Sequence, residues 1–93
     1  MDKRYIVEYM GTAVIMTANF LTESDPAVMG IIYFAVLWMS QGITSGFFNP
    51  FIPLYTYMMG RGPTQDIIYN LFAQTFGAVS AILLFKPLKT YLD

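Results

Sequence analysis

The sequence predicts an all-α membrane protein: three transmembrane helices plus one re-entrant half-helix, all in a single domain over residues 1–93. Two observations carry this. Of the 93 residues, 56% are hydrophobic and only 12% charged. Soluble domains carry about 25% charged residues, and a short chain exposes proportionally more of its surface than a long one. This composition lacks the polar side chains to coat a small water-soluble globule. The second observation is the pattern. Three apolar runs, each near the length of about 20 residues that spans a bilayer, are separated by turn signals and by one shorter apolar segment punctuated with prolines.

The first run covers about residues 5–22 and is interrupted by Glu8 and, weakly, by Thr12, Thr17 and Asn19. The charged start "MDKR" and the absence of a small-x-small cleavage pattern make it a retained span and not a removed signal. "TESDP" at 22–26 ends it, with Ser24 or Asp25 placed to cap the next helix. The second span runs over about 27–44 and turns weakly polar at Ser40, Gln41, Thr44 and Ser45. The third covers about 67–86. Ile67 to Phe85 carries no formal charge, and Lys86-Pro87 is expected to stop the helix there.

Between the second and third spans lies "SGFFNPFIPLYTYMMG". The segment 50–59 is too short to cross a bilayer as a helix. Asn49 suits an N-cap, and Pro50 suits the first helical turn, where its missing N–H leaves nothing unpaired. Pro53 still falls in that turn. Gly60, Gly62 and Pro63 end the segment. Irregular backbone at membrane depth persists only when buried in protein or facing a watery cavity. The expectation is a short capped helix cradled by the spans or by a partner.

Several functions are excluded by composition. Net charge is −1, with no basic cluster, so nucleic acid is not an expected partner. Cysteine and histidine are absent, which removes disulfides, thiol nucleophiles, imidazole bases and the usual zinc sites. No nucleophile–base pair can be named, and the expectation is a protein that is not an enzyme, with no metal and no cofactor.

Four motifs in order resemble one repeat of the aquaporin, or major intrinsic protein, family. Glu8, Gly11 and Thr12 match its Glu-x-x-Gly-Thr. Ser45 and Gly46, followed by Asn49 and Pro50, match the Asn-Pro loop. Ala73, Gln74, Gly77 and Ala78 match the third-helix pattern, and Tyr69 is also in a family position. The resemblance covers nearly the whole chain and implies a half-aquaporin-like fold, with Glu8 accepting hydrogen bonds from the loop backbone and Gln74, Ser45 and Gly46 as further loop support. The chain departs from the family at Phe51, which stands where the box has alanine and would put a bulky ring at the narrowest point. Pro53 replaces the usual Thr or Ser, no arginine follows the Asn-Pro box, and the loop is one residue short. Family pores lie between two inverted repeats, and this chain has one. In the family topology Lys3, Arg4 and Arg61 face one side and Lys86 and Lys89 the other, which is too even to set an orientation.

Each candidate has more than one role open to it. Asn49 is either a solute-facing amide or only a cap. Glu8, the one carboxylate inside an apolar run, is a loop support, a proton carrier or a snorkelling charge near the helix start. Gln74 and Asn70 lie one turn apart and line a channel or bond a neighbouring helix. Gly11, Gly42, Gly77 and Ala78 are helix-packing positions, Gly42 pairing with Gly46. Tyr5, Tyr9, Tyr55, Tyr57 and Tyr91 are expected interfacial anchors. The expected partners are membrane lipid and other membrane subunits, or an inverted second copy. The first functional expectation is a non-conducting structural subunit of a larger membrane complex, for instance in an organellar inner membrane. The alternative is a half-channel that dimerises in antiparallel fashion into a pore for water or small neutral solutes.

Overall fold

A computed structural model describes residues 3–44, 48–49, 51–62 and 64–92. Four helices follow in order: α1 Lys3–Thr22, α2 Pro26–Met39, α3 Phe51–Met58 and α4 Thr64–Leu92. The molecule is elongated, 46 × 24 × 20 Å. α4 sets the long axis, since 29 residues at 1.5 Å each make about 43 Å.

The expected layout of three spans and a re-entrant half-helix is corrected by these elements. Among the described residues only α4 is both long and apolar enough to cross a membrane, with a mean hydropathy of 1.7 in its best window. α1 has the length, but Glu8, two tyrosines, three threonines and Asn19 dilute its apolar character. α2 is strongly apolar yet ends after 14 residues, about 21 Å of helix, short of the ~30 Å hydrocarbon core. α3 is a helix of two turns packed on α4. The all-α class holds; the membrane topology does not.

Each end has a local cause. α1 closes with the Ser24 N–H donating to the Asn19 carbonyl at 3.0 Å, while Glu23 and Ser24 take positive φ of 54° and 63°. Asp25 then caps α2, its Oδ1 accepting from the Ala27 and Val28 amides at 3.0 and 3.2 Å. α2 ends at Met39, five residues before the expected limit. A turn from Ser40 follows, containing Gly42 at φ 83°. α3 is capped by Asn49, whose Oδ1 accepts from the Phe51 N–H at 2.9 Å. It ends in a Schellman arrangement: the Arg61 N–H reaches the Thr56 carbonyl and the Gly60 N–H the Tyr57 carbonyl, both at 2.9 Å, with Gly60 at φ 73°. α4 does not stop at Lys86-Pro87. Pro87 lies inside the helix; it withholds one backbone bond within the last two turns, and the helix continues to Leu92.

α1 packs along α4, α2 packs on α1, and α3 packs on α4. Side-chain pairings show that α1 and α4 run parallel: Tyr5 meets Asp66, Glu8 meets Gln74, Tyr9 meets Ser80 and Glu23 meets Lys89. Parallel neighbours require the chain to travel back between them. α2 does so, its 14 residues retracing the rise from Thr22 towards the level of Glu8.

The buried positions fall on one stripe of each helix. On α1 they are Glu8, Gly11, Thr12 and Ile15; on α4 they are Asn70, Gln74, Gly77 and Ala81. These spacings of three and four are those of a single helical face. Gly77 sets the closeness of the pair. A Cβ there would collide with the Tyr9 carbonyl oxygen and lie 3.2 Å from the Ala13 nitrogen and Thr12 Cβ. Gly30, on α2, has nothing within 4 Å of such a Cβ.

Two alanine substitutions should therefore have opposite signs. Gly77→Ala forces α1 and α4 apart and should destabilise the fold by about 1–3 kcal/mol. Gly30→Ala removes backbone freedom from the unfolded chain and should stabilise by roughly 0.5–1 kcal/mol. Thermal unfolding followed by circular dichroism in one detergent measures both, and equal effects would contradict the packing described.

Candidate functional site

The most buried large side chain among the described residues is a carboxylate. Glu8 is 0% exposed, on the face of α1 that meets α4. Its Oε1 accepts from Gln74 Nε2 at 2.7 Å and from the Phe48 backbone N–H at 3.2 Å. Its Oε2 accepts from Thr44 Oγ1 at 3.0 Å. Burial disfavours the charged form and three donors favour it. The donors come from three stretches of chain: the segment after α2, the segment before α3, and the middle of α4. Glu8 thus joins α1 to all of them.

Phe48 completes the arrangement from the other side. Its backbone lies in the left-handed region, φ 62°, which costs a non-glycine residue roughly 1–2 kcal/mol. The hydrogen bond to Glu8 and burial of the ring offset that cost. The ring, with Phe48 only 6% exposed, lies against Gly11. A Cβ at position 11 would sit 2.7 Å from two of its carbons. Gly11 therefore makes room for a ring, while Gly77 makes room for a backbone.

The structure brings Glu8, Gln74, Gly11 and Gly77 together at the α1–α4 seam, with Ala78 half-buried beside it. Asn49 is exposed and its carbonyl-side oxygen is used in the cap. Phe51 is 69% exposed in the first turn of α3 and obstructs nothing among the described residues. Gly42 is not a helix-packing position. It lies beyond α2, in a turn whose positive φ suits glycine, and a Cβ there would meet nothing within 4 Å. Pro50, Ser45 and Gly46 lie outside the described residues. Arg61 is exposed after α3.

The Phe48 N–H is the loop backbone donor expected for Glu8; sequence reasoning missed Thr44 as a second partner, the burial of the Phe48 ring, and the inward use of two tyrosines. Tyr5 donates to Asp66 Oδ1 at 2.9 Å, and Tyr9 shares a 2.7 Å hydrogen bond with Ser80. Arg4 stands 3.9 Å from the same Asp66 oxygen, and the Tyr5 and Tyr69 rings meet edge to face at 5.3 Å. The available signal was spacing: Tyr5, Glu8, Tyr9 and Thr12 share a helical face.

Chemically, the cluster is a clasp. The carboxylate is closed in by protein donors, and no group of three His, Cys, Asp or Glu among the described residues could hold a metal. Comparison of the chain with known protein families, characterised proteins and solved structures finds no match.

Replacing Glu8 by leucine strands the buried donors of Gln74 and Phe48. Each should cost about 1–3 kcal/mol. Removing the Gln74 amide as well should recover part of the loss. A double-mutant cycle of Glu8→Leu and Gln74→Leu should give a coupling of at least ~1 kcal/mol by chemical or thermal unfolding, and strict additivity would mean that the contact carries no energy.

Proposed function

We propose that the protein is integral to a membrane and acts as a non-conducting structural subunit, filling space between other membrane components. The observation that carries this is its polarity, which runs opposite to that of a soluble domain. The buried polar residues are Glu8, Thr12, Ser40, Asn70 and Gln74, while the buried hydrophobic ones among the described residues are Ile15, Phe48 and Ala81. Meanwhile Trp38, Met39, Phe72, Phe76, Leu83 and Leu84 are all more than half exposed. Only 22% of the apolar window of α4 is buried, whereas the core helix of a soluble protein would be mostly covered. Large contiguous apolar surfaces mark membrane or protein contact.

Hydroxyl groups nearer the surface support the same view. Thr17 and Thr22 on α1 and Thr56 on α3 donate to carbonyls four residues back in their own helices at 2.6–2.9 Å. They need no water. Tyr5 and Tyr9 bond inward and help line, with Ile6, Tyr69, Phe72 and Phe76, an apolar groove of about 690 Å³ along α1 and α4. A hydrocarbon chain or an apolar helix satisfies such a groove; water does not.

The motifs shared with the aquaporins, Glu8–Gly11–Thr12 and Ala73–Gln74–Gly77–Ala78, support a distant kinship, because they supply both sides of the α1–α4 seam. A conducting role gains no comparable support, since Asn49 is engaged in a cap and Glu8 is closed in by donors.

Liposomes reconstituted with the purified protein should shrink and swell under osmotic shock at the rate of empty liposomes. Solubilised gently from its own membrane, the protein should migrate well above monomer mass, with other proteins attached. Fast swelling by the isolated protein would replace this proposal with the half-channel.

A further inference from the structure

A small cavity lies at the end of the molecule where α1 begins. It has a volume of about 30 Å³ and is lined by Arg4, Tyr5, Thr44, Asp66 and Asn70, with Pro53 and Thr56 of α3 closing one side. Asn70 is 6% exposed. Its Nδ2 donates to the Asp66 carbonyl at 2.8 Å, but its buried Oδ1 has no partner. A buried carbonyl-type oxygen without a donor is costly and uncommon.

We propose that this cavity is a hydration site holding one or two ordered water molecules, one of which donates to Asn70 Oδ1. The volume fits, since a water needs about 10–15 Å³ of such space. The wall carries charges of both signs, Arg4 and Asp66, and hydroxyl and amide groups beside them, a lining that suits water. The wall supplies more than the two polar partners that a buried water requires.

The site matters because of what lies behind it. Thr44 lines the cavity and also donates to Glu8 Oε2. Water there extends the hydrogen-bonded interior from Asp66 near the helix ends through Thr44 to Glu8 and Gln74. The clasp at Glu8 is then one hydroxyl away from a hydrated chamber and not sealed in hydrocarbon. The inference does not depend on the subunit role, since it concerns only the interior of this chain.

Two measurements test it. In the isotopically labelled full chain in micelles, the Asn70 side-chain amide protons should show cross-peaks to water with the sign of long-lived bound water. A well-resolved Asn70 amide without water cross-peaks would overturn the proposal. The near-isosteric Asn70→Leu variant gives an independent readout. If the cavity is hydrated, leucine strands the water, and the melting temperature should fall by about 4 °C or more. If the cavity is dry, leucine removes an orphaned acceptor together with the Nδ2–Asp66 bond, and an unchanged or raised melting temperature would overturn the proposal.

Discussion

One carboxylate holds this small structure together. Glu8 has no exposed surface and takes hydrogen bonds from Gln74, Thr44 and the Phe48 backbone. A fully buried carboxylate is tolerated only when it is surrounded by donors. That requirement dictates where three other stretches of chain must go. Thr44 has to return from the far end of α2, Phe48 has to adopt a left-handed backbone, and the middle of α4 has to lie beside the second turn of α1.

The rest of the packing follows from that demand. For Gln74 to reach Glu8 at 2.7 Å, α1 and α4 must approach closely, and Gly77 removes the side chain that would prevent it. For the Phe48 amide to reach Glu8, its ring needs a place to go, and Gly11 leaves one. The tyrosine pairs Tyr5–Asp66 and Tyr9–Ser80 continue the same polar seam towards and beyond Glu8. The ion pair of Lys89 with Glu23, at 3.2 Å and with Glu23 largely exposed, closes the far end but adds little, as surface pairs do.

Local punctuation was largely readable from the residues. "TESDP" gave a turn with Ser24 or Asp25 as the cap, and Asp25 takes that place; Asn49 caps the short α3, and Gly60 ends it. Glycine, proline and short acceptor side chains act through their nearest neighbours, so their effects can be inferred without knowing the fold. Extents were less legible. Lys86-Pro87 did not stop α4, because one missing bond near a helix end is a small loss, and α2 broke where its run turns polar at Ser40, short of the expected limit near residue 44. The transmembrane count failed for a related reason. Residues 5–22 look apolar when polar members are treated as interruptions, yet Glu8 and Thr12 are the buried face of α1. The pairing of α1 with α4 was visible only as two stripes, 8-11-12-15 and 70-74-77-81, in which polar and small residues, with Ile15 the one large apolar member, mark the inside. The left-handed φ of Phe48 left no trace in sequence, since it is imposed from 40 residues away.

That inversion, with a polar seam gathered on Glu8 and apolar side chains turned outward, is what separates this chain from a soluble helical domain. The chain has no cysteine, so a single nitroxide label can be placed at will. A label replacing Leu83, which is 70% exposed on α4, measures what that face touches when the protein is in lipid vesicles. On a lipid-facing α4 the label collides frequently with dissolved oxygen and almost never with a water-soluble nickel chelate. Collisions with the chelate at the rate of a solvent-exposed helix would place that face in water and contradict the inversion.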